Sequence, residues 1–293
     1  MSKMQRRDAY IGYLFVLPAV LGFLIFVAGP LVYVFIMSAQ KYNTFTGQSS
    51  FVGTGNYEQL ASSGVFATVL LNTAIFSLAV IPANIILGLL LAMLVNQRIP
   101  GMAIFRTAYF IPAVVSLVAW SLVWNYLLQG RGGMNAALET IGITGPNWLA
   151  DPKWALASVI GVQVLKSTGI AMVIFLAALQ DVPEEVVEAA TVDGANRRQI
   201  FGHVTLPLIS PSILLVAILA TVTSLQSFAQ VFLLTKGGPG YSTSILGYYI
   251  YEQAFGAFQF GTASAAAVVL FVVVLGLTLI QWNLRRRWVY NES

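Results

Sequence analysis

The chain has 293 residues, of which 58% are hydrophobic and only 9% are charged, whereas soluble proteins carry about 25% charged residues. A soluble fold cannot bury this much apolar surface, so the composition indicates an integral membrane protein. The absence of cysteine excludes disulfide and thiolate chemistry. We attribute the formal net charge of +4 to membrane topology, and it gives no indication of nucleic-acid binding.

Six stretches are apolar and long enough to cross a hydrocarbon core, which takes about 20 residues as a helix. They predict an all-α integral membrane fold, with the whole chain, residues 1–293, as one transmembrane domain. The predicted spans lie near residues 11–37, 69–95, 107–128, 154–179, 206–234 and 262–284. The apolar run of the first span is about twice as long as that of a signal peptide, so we interpret it as a retained anchor.

An even number of spans places both termini on one side of the membrane, and the distribution of Lys and Arg indicates which side. Ten basic residues fall on the side of the termini: Lys3, Arg6, Arg7, Arg98, Arg106, Arg197, Arg198, Arg285, Arg286 and Arg287. Four fall on the opposite side: Lys41, Arg131, Lys153 and Lys236. Because basic residues accumulate in cytoplasmic loops, both termini are predicted to be cytoplasmic.

Polar residues inside the predicted spans need a partner or a cavity, because an unpaired polar group in lipid costs several kcal/mol. In span two, Asn84 lies near mid-depth, and in span three, Pro112 is expected to loosen the helix. Lys166 in span four is the only charged residue inside any predicted span, which makes it a functional candidate. The alternative is a structural lysine bound to backbone carbonyls or to a neighbouring subunit, and the sequence leaves both open.

The segment between spans four and five, residues 180–205, is polar and is predicted to lie on the cytoplasmic side. Pro183 and three glutamates suit the start of a helix, Gly194 interrupts the helical run, and Asn196 suits the cap of a second short helix. This pattern predicts a bent helical pair. The alternative is an amphipathic loop lying on the bilayer surface, although the acidic first half of the segment argues against that position.

The second half of span five is unusually polar for a helix that would face lipid. Its polar residues interleave with an aromatic residue: Ser224, Gln226, Ser227, Phe228 and Gln230. Such a helix suits a water-filled path, where hydroxyls and amides bind a polar solute and an aromatic ring covers its apolar face. Together with Asn84 and Lys166, these residues form the predicted solute path. The alternative is polar contact between transmembrane helices.

The sequence offers no set of residues for catalysis or for nucleotide binding. No Ser/His/Asp arrangement or membrane carboxylate pair can be assembled, and the nucleotide pattern GxxxxGK[ST] is absent. His203 is the only histidine, so we predict neither enzyme activity nor a metal site. Proton coupling would need an acidic residue or a histidine inside a span. A transport path energised by a partner protein is therefore predicted, and an ion-gradient-driven secondary carrier is the alternative.

The run EAATVDGA at residues 188–195, continuing to LPLISP at 206–211, resembles the EAA loop of permease subunits in binding-protein-dependent ABC importers. Further motifs resemble the carbohydrate-uptake branch of that family: FVGTGNY (51–57), Asn72-Thr73, GLLLAMLVN (88–96), FRTAYFIP (105–112) and NWLADP (147–152). Residues 235–265 resemble the first permease subunit of oligosaccharide and glycerol-phosphate importers. The family often has Trp where Leu165 stands and Asp where Ala229 stands, so solute contacts from spans four and five are expected to differ here.

The resemblance implies import of a sugar or sugar-like solute, either an oligosaccharide or a glycerol phosphate or glycerophosphodiester, by alternating access. It implies a bacterial or archaeal plasma membrane, a second related permease, two ATPase subunits that hold ATP and Mg²⁺, and an extracellular or periplasmic solute-binding protein. This chain itself is expected to hold no cofactor and to contact membrane lipid. Coupling to the ATPase is implied for a motif whose short helix docks in an ATPase cleft: Glu188, Ala189, Ala190, Asp193, Gly194 and Ala195.

Overall fold

The computed structural model describes residues 3–43, 46–97 and 99–288, and it describes side chains for residues 12–43, 46–97 and 99–285. Six of the ten basic residues counted for topology lie outside the described side chains: Lys3, Arg6, Arg7, Arg98, Arg286 and Arg287. The cytoplasmic location of the termini therefore stays a prediction. The chain divides into two compact units, one formed by residues 3–63 and 250–269 and the other by residues 64–249 and 270–288.

The first unit begins with a long apolar helix and a small β-hairpin. Its elements are α1 (Lys3–Phe23), a π-helical segment (Leu24–Ala28), α2 (Gly29–Ser38), β1 (Gln40–Asn43), β2 (Gln48–Phe51) and α3 (Gly55–Ser62). The strands pair antiparallel, with Gln40 opposite Phe51. The buried Asn56 amide of α3 donates to the carbonyls of Ser38 (2.8 Å) and Gln40 (2.9 Å), which fixes α3 to the end of α2 and the start of β1.

The regular elements of the second unit, among its described residues, are all helices. Its first elements are α4 (Gly64–Val95), α5 (Met102–Val114), α6 (Leu117–Leu127), α7 (Gly133–Glu139), α8 (Pro152–Gln180), α9 (Glu184–Val192) and α10 (Arg197–Ile200). A π-helical segment (Phe201–Thr205), α11 (Leu206–Leu208), α12 (Ser210–Leu225) and α13 (Ala229–Leu234) follow. Helices α14 (Leu246–Tyr251) and α15 (Phe260–Trp288) each have residues in both units, and a π-helical segment (Glu252–Gly256) lies between them.

Four helices of the described residues are long and apolar enough to cross a membrane. They are Gly12–Ser38, Gly64–Val95, Pro152–Gln180 and Phe260–Arg285, and they correspond to predicted spans one, two, four and six. Two bent helix pairs, at predicted spans three and five, bring the number of spans to six if each pair counts as one. The membrane character predicted from composition is therefore carried by helices of sufficient length.

Predicted span three is not one continuous helix. Helices α5 and α6 meet at an angle of 99°, and the extended residues Val115 and Ser116 join them. Pro112 lies inside the last turn of α5, so the break falls three residues beyond the proline that was expected to loosen the helix. The ammonium of Lys166 donates hydrogen bonds to the carbonyls of Pro112 and Val115, which stabilises the open end of α5.

Predicted span five, residues 206–234, is also wrong as a single helix. The helical segment Arg197–Leu208 meets α12 at 65°, and α12 ends at Leu225. Residues 226–228 are not helical, and α13 then begins at Ala229. Hydroxyls of the last turns of α12 donate to backbone carbonyls three or four residues earlier, as Ser224 does to Thr221, and such bonds compete with regular helix geometry.

The core of the second unit has a polar level between two apolar clusters along α4 and α8, which pack against each other. One cluster contains Phe76, Val80, Val159, Val162 and Val231, and the other contains Ala92, Met172, Phe175, Leu176 and Val216. Asn84 on α4 and Ser167 and Thr168 on α8 lie between the two clusters in sequence on both helices. The apolar packing between α4 and α8 is thus interrupted at one level along the two helices, and the polar side chains meet there.

Candidate solute cavity and coupling loop

A cavity of ≈ 450 Å³ in the second unit lies at this polar level, within the range of about 300–1,000 Å³ that is typical of small-molecule sites. Six of the seven predicted path residues line it: Asn84, Lys166, Gln226, Ser227, Phe228 and Gln230. Ser224 is not among the lining residues, because its hydroxyl is buried and donates to the carbonyl of Thr221 at 3.1 Å. The structure therefore brings most of the predicted path together at the breaks of spans three and five.

Three polar lining residues were not selected from the sequence, namely Gln163, Ser167 and Thr223. Gln163 precedes Lys166 by three residues on α8, so helical spacing from Lys166 indicates the same face. That spacing was a usable signal for Gln163. Thr223 belongs to the same polar stretch of span five as Ser224, and the sequence did not indicate which of these two residues lines the cavity.

Asn84 connects α4 to α8 and forms part of the cavity wall. Its side chain is 3% exposed, and its Nδ2 donates to the carbonyl of Val80 at 3.0 Å. Its Oδ1 accepts hydrogen bonds from the hydroxyls of Ser167 (2.9 Å) and Thr168 (3.5 Å). Most of its hydrogen-bonding capacity is therefore used within the protein.

Lys166 bridges α8 to the broken end of α5. Its Nζ donates to the carbonyls of Pro112 (3.0 Å) and Val115 (2.7 Å), and it lies 5.8 Å from the centroid of the Trp120 ring. Of the two interpretations left open by the sequence, the contacts of Lys166 match the one in which the ammonium binds backbone carbonyls. The side chain also lines the cavity, so it forms part of the wall.

The break at residues 226–228 presents an aromatic surface and an unpaired amide. Phe228 stacks on Phe232 (centroids 5.5 Å apart) and on Tyr248 (6.4 Å apart, interplanar angle 14°). The Gln230 side chain is 1% exposed, and neither its Nε2 nor its Oε1 has a hydrogen-bond partner among the described residues. Because buried polar groups in proteins are nearly always paired, this unpaired amide stands out among the residues that line the cavity.

The loop 180–205 forms the predicted bent helical pair. Helix α9 begins at Glu184, with Pro183 one residue before it rather than inside its first turn. Gly194 has φ +83°, a left-handed conformation that L-residues adopt at a cost, and its N–H donates to the carbonyl of Thr191 at 3.0 Å. Asn196 and Gln199 cap α10 reciprocally: Asn196 Oδ1 accepts from the backbone N–H of Gln199 (3.0 Å) and Gln199 Oε1 from that of Asn196 (2.8 Å).

A second cavity, of ≈ 710 Å³, separates α9 from the ends of the neighbouring helices. Arg106 of α5, Gln180 of α8 and Glu188 of α9 are among its lining residues. The Arg106 guanidinium donates to the carbonyl of Val95 through Nε (3.0 Å) and Nη2 (2.8 Å), which caps the C-terminus of α4 with positive charge. The ends of α4, α5, α8 and α9 therefore share one polar junction.

Broken helices of membrane-spanning length around a cavity that carries amide and hydroxyl groups are typical of a component of a membrane transport system. Residues 84–290 match the family described as the binding-protein-dependent transport system inner membrane component, and the chain belongs to this family. The family resemblance carried by EAATVDGA, and with it the all-α membrane fold, is thereby confirmed.

The chain is similar over nearly its whole length to permeases of sugar transport systems. It is 32% identical to the trehalose/maltose transport system permease protein MalF of Thermococcus litoralis, over 97% of each chain. It is 35% identical to the lactose transport system permease protein LacF of Rhizobium radiobacter, over 94% of each chain. A solved bacterial alginate ABC transporter, in complex with an alginate pentasaccharide-bound periplasmic protein, is similar with a TM-score of 0.85 and 25% identity, over 97% of this chain and 96% of that chain.

Proposed function

We propose that this chain is the permease subunit of an ATP-driven ABC importer that moves a sugar or oligosaccharide into the cytoplasm by alternating access. The observation that carries the proposal is the cavity at the breaks of two membrane spans, whose mostly apolar wall carries amide and hydroxyl groups and is backed by stacked aromatic rings. Amides and hydroxyls bind sugar hydroxyls, and an aromatic surface covers the apolar face of a sugar ring. Similarity to trehalose/maltose and lactose permeases supports this solute class.

The two breaks suit a site whose access alternates between the two sides. Transporters commonly bind solute near the middle of the membrane, where discontinuous helices present half-helix ends to the cavity. Ala113 and Leu117 flank the break between α5 and α6, and both line the cavity. A change in the 99° angle between these helices would move one side of the cavity wall relative to the other.

The loop 180–205 is the proposed contact for an ATPase subunit. Glu188, Ala189, Asp193 and Gly194 are exposed, and Ala190 and Ala195 are half-buried. Val192 at the end of α9 is 87% exposed, so the bent pair offers both apolar and acidic groups to a partner. Because only residues 181–183 connect α8 to α9, a displacement of α9 would reach the end of α8 through this short connection.

The proposed importer is completed by other chains. A second related permease would form the opposite wall of the path, two ATPase subunits would bind ATP and Mg²⁺, and a solute-binding protein would deliver the solute. The alginate transporter solved with a periplasmic protein supports the last partner. The proposed role of this chain is non-catalytic, because its sequence lacks the GxxxxGK[ST] pattern of P-loop ATPases.

Reconstitution of the co-purified complex into proteoliposomes tests the proposal. Uptake of radiolabelled maltose, trehalose and lactose is measured with the solute-binding protein on the outer side and ATP on the ATPase side. We expect uptake that requires both ATP and the binding protein. The control is this chain reconstituted alone under sodium and proton gradients. Sugar uptake by the chain alone would favour the ion-gradient-driven carrier and refute the ATP-driven importer.

A further inference from the structure

Gln230 of α13 carries an unpaired amide into the apolar core of the second unit. Its Nε2 and Oε1 atoms are enclosed by the protein and have no hydrogen-bond partner among the described residues. The next residue, Val231, is fully buried in the same apolar cluster as Phe76 and Val80. Because neither solute nor water reaches the enclosed amide atoms in this conformation, a partner for them has to be another group of the protein.

Ser121 of α6 is a second unpaired polar group in this core. It is fully buried, and its hydroxyl has no hydrogen-bond partner within the described part of the chain. Helical hydroxyls often donate to a carbonyl three or four residues earlier, as those of Thr221 (2.7 Å) and Ser224 (3.1 Å) do. Since Ser121 makes no such bond, its hydroxyl keeps a donor hydrogen and acceptor lone pairs, which match the oxygen and the NH₂ group of an amide.

The register of α6 and α13 places Ser121 and Gln230 at one level. Both helices begin at the cavity between the two breaks, and both end at a further cavity of ≈ 370 Å³, so they run in the same direction. Asn125 Nδ2 of α6 donates to the carbonyl of Leu234 of α13 at 3.1 Å. Ser121 precedes Asn125, and Gln230 precedes Leu234, by four residues, which is about one helical turn. The two unpaired groups therefore lie one turn below an existing bond between the same two helices.

Helix α13 is short and is separated from its neighbours at both ends. It spans Ala229–Leu234, residues 226–228 before it are not helical, and Gly237 in the following loop has φ +76°. Because the Gln230 side chain is packed in the core, its amide changes direction together with its helix. A rotation of α13 about its axis by part of the roughly 100° between successive helical residues would redirect the amide without moving α12.

We propose that α13 has two arrangements in the transport cycle, and that the Gln230 amide pairs with the Ser121 hydroxyl in the arrangement that differs from the described one. In the described arrangement, the two unpaired groups raise the free energy of the packed core. In the other arrangement, their hydrogen bond offsets the cost of moving α13, so the two arrangements are closer in free energy. The inference rests on the proposed alternating access, and it gives Gln230 a positioning role that involves no contact with solute.

Thermal unfolding of the co-purified complex in two states tests the role of Gln230. One state is free of nucleotide, and the other is trapped with ADP and orthovanadate. Methionine is unbranched like glutamine and has no amide, so Gln230→Met should raise the unfolding temperature of the state with the described arrangement. It should lower the unfolding temperature of the state that has lost the bond to Ser121. Shifts of the same sign in both states would indicate a merely structural residue and would overturn the inference.

A double-mutant cycle tests whether Ser121 is the partner. The rate of ATP hydrolysis is measured with the solute-binding protein and a mixture of maltose, trehalose and lactose. Gln230→Met and Ser121→Ala should each slow stimulated hydrolysis about fivefold, roughly the effect of losing one buried hydrogen bond, and the double variant should be no slower than either. The matched control is Ser77→Ala on α4, because Ser77 is also buried and unpaired among the described residues and its effect should add to that of Gln230→Met.

The outcomes separate this inference from the proposed function. Additive effects of Gln230→Met and Ser121→Ala, or a non-additive effect with Ser77→Ala instead, would overturn the assigned pair and leave the ATP-driven importer standing. If Gln230→Met does not assemble, Ser121→Ala provides the same comparison of the two states, since it removes only the unpaired hydroxyl. A complex of the natural chain whose unfolding temperature does not respond to ADP and orthovanadate, and which hydrolyses no ATP with the sugars present, would count against the importer itself.

Discussion

Replacement of Gly194 by alanine should weaken the turn between α9 and α10 without creating a steric clash. Gly194 has φ +83°, and a Cβ added there has nothing within 4 Å. The cost is therefore conformational, about 1–2 kcal/mol for an L-residue in the left-handed region. That cost corresponds to a roughly 5- to 30-fold lower population of the bent pair relative to competing turn conformations. If the bent pair transmits ATPase motion, coupling should fall with its population.

The assay is the number of solute molecules taken up per ATP hydrolysed in proteoliposomes containing the complete complex. Gly194→Ala should lower this ratio several-fold. Gly194→Asn should retain most of it, because asparagine tolerates the left-handed region better than alanine does. Gly202→Ala is a matched control in the same segment, since Gly202 also has nothing within 4 Å of an added Cβ and does not have a left-handed φ.

Two results would contradict this reasoning. An unchanged ratio for Gly194→Ala would mean that the turn does not carry the motion of the ATPase into the membrane helices. An equal loss for Gly194→Ala and Gly194→Asn would mean that space at a docked partner, rather than the backbone conformation, makes glycine necessary there.

Three further predictions concern stability and are measured by thermal unfolding of the purified complex. Gly247→Ala should lower the free energy of unfolding by about 1–3 kcal/mol, and with it the unfolding temperature, because an added Cβ would lie 2.5 Å from the Ser227 carbonyl oxygen at the break of span five. Gly161→Ala is the control, since an added Cβ there meets open space and should have no such effect. Asn72→Ala should cost about 1–3 kcal/mol, because the Asn72 amide donates to the carbonyls of Tyr241 (2.8 Å) and Ser244 (3.1 Å) in the loop between α13 and α14. An unchanged unfolding temperature would show that these bonds contribute nothing net. Burial raises the pKa of Glu252 above its ordinary 4.5. The contribution of this carboxyl to the free energy of unfolding is therefore complete below pH 4.5 and is lost as the pH rises through the pKa of the folded state. Glu252→Gln should be more stable than the natural chain at pH 8 and equally stable below pH 4.5, and equal stability at pH 8 would contradict the buried-carboxyl argument.

Local signals predicted the loop 180–205 well because its determinants are a few residues apart. The cap of α10 is a pair of bonds between Asn196 and Gln199, three residues apart, and the Gly194 turn follows from one backbone angle. The cap and the turn are therefore predictable from short segments of the sequence. The coupling role of the loop cannot be predicted from a short segment in the same way, because it depends on a partner chain, and it stays a proposal.

The breaks of spans three and five could not be predicted from the sequence, because they depend on contacts between residues far apart in the chain. Lys166 and Val115 are 51 residues apart, so no local pattern indicates that an ammonium on α8 accommodates the open end of α5. Pro112 indicated only that this helix would be weakened. In span five, Ser224 and Gln230 look alike as polar residues in an apolar run, but the helix end at Leu225 separates them. The Ser224 hydroxyl donates to a carbonyl of its own helix, whereas the Gln230 amide is left unpaired beside the cavity.

The position of Lys166 on α8 would link the proposed coupling loop to the proposed solute cavity. Helix α8 ends at Gln180 and α9 begins at Glu184, so a displacement of α9 reaches α8 through a short connection. Lys166 holds the end of α5 through bonds of 3.0 and 2.7 Å. If α8 moved without α5, the ammonium and two carbonyls would lose their partners at a depth where replacements are scarce. A movement of α5 together with α8 therefore has the lower free energy. It would change the angle at the break in span three and, as a result, the shape of the cavity.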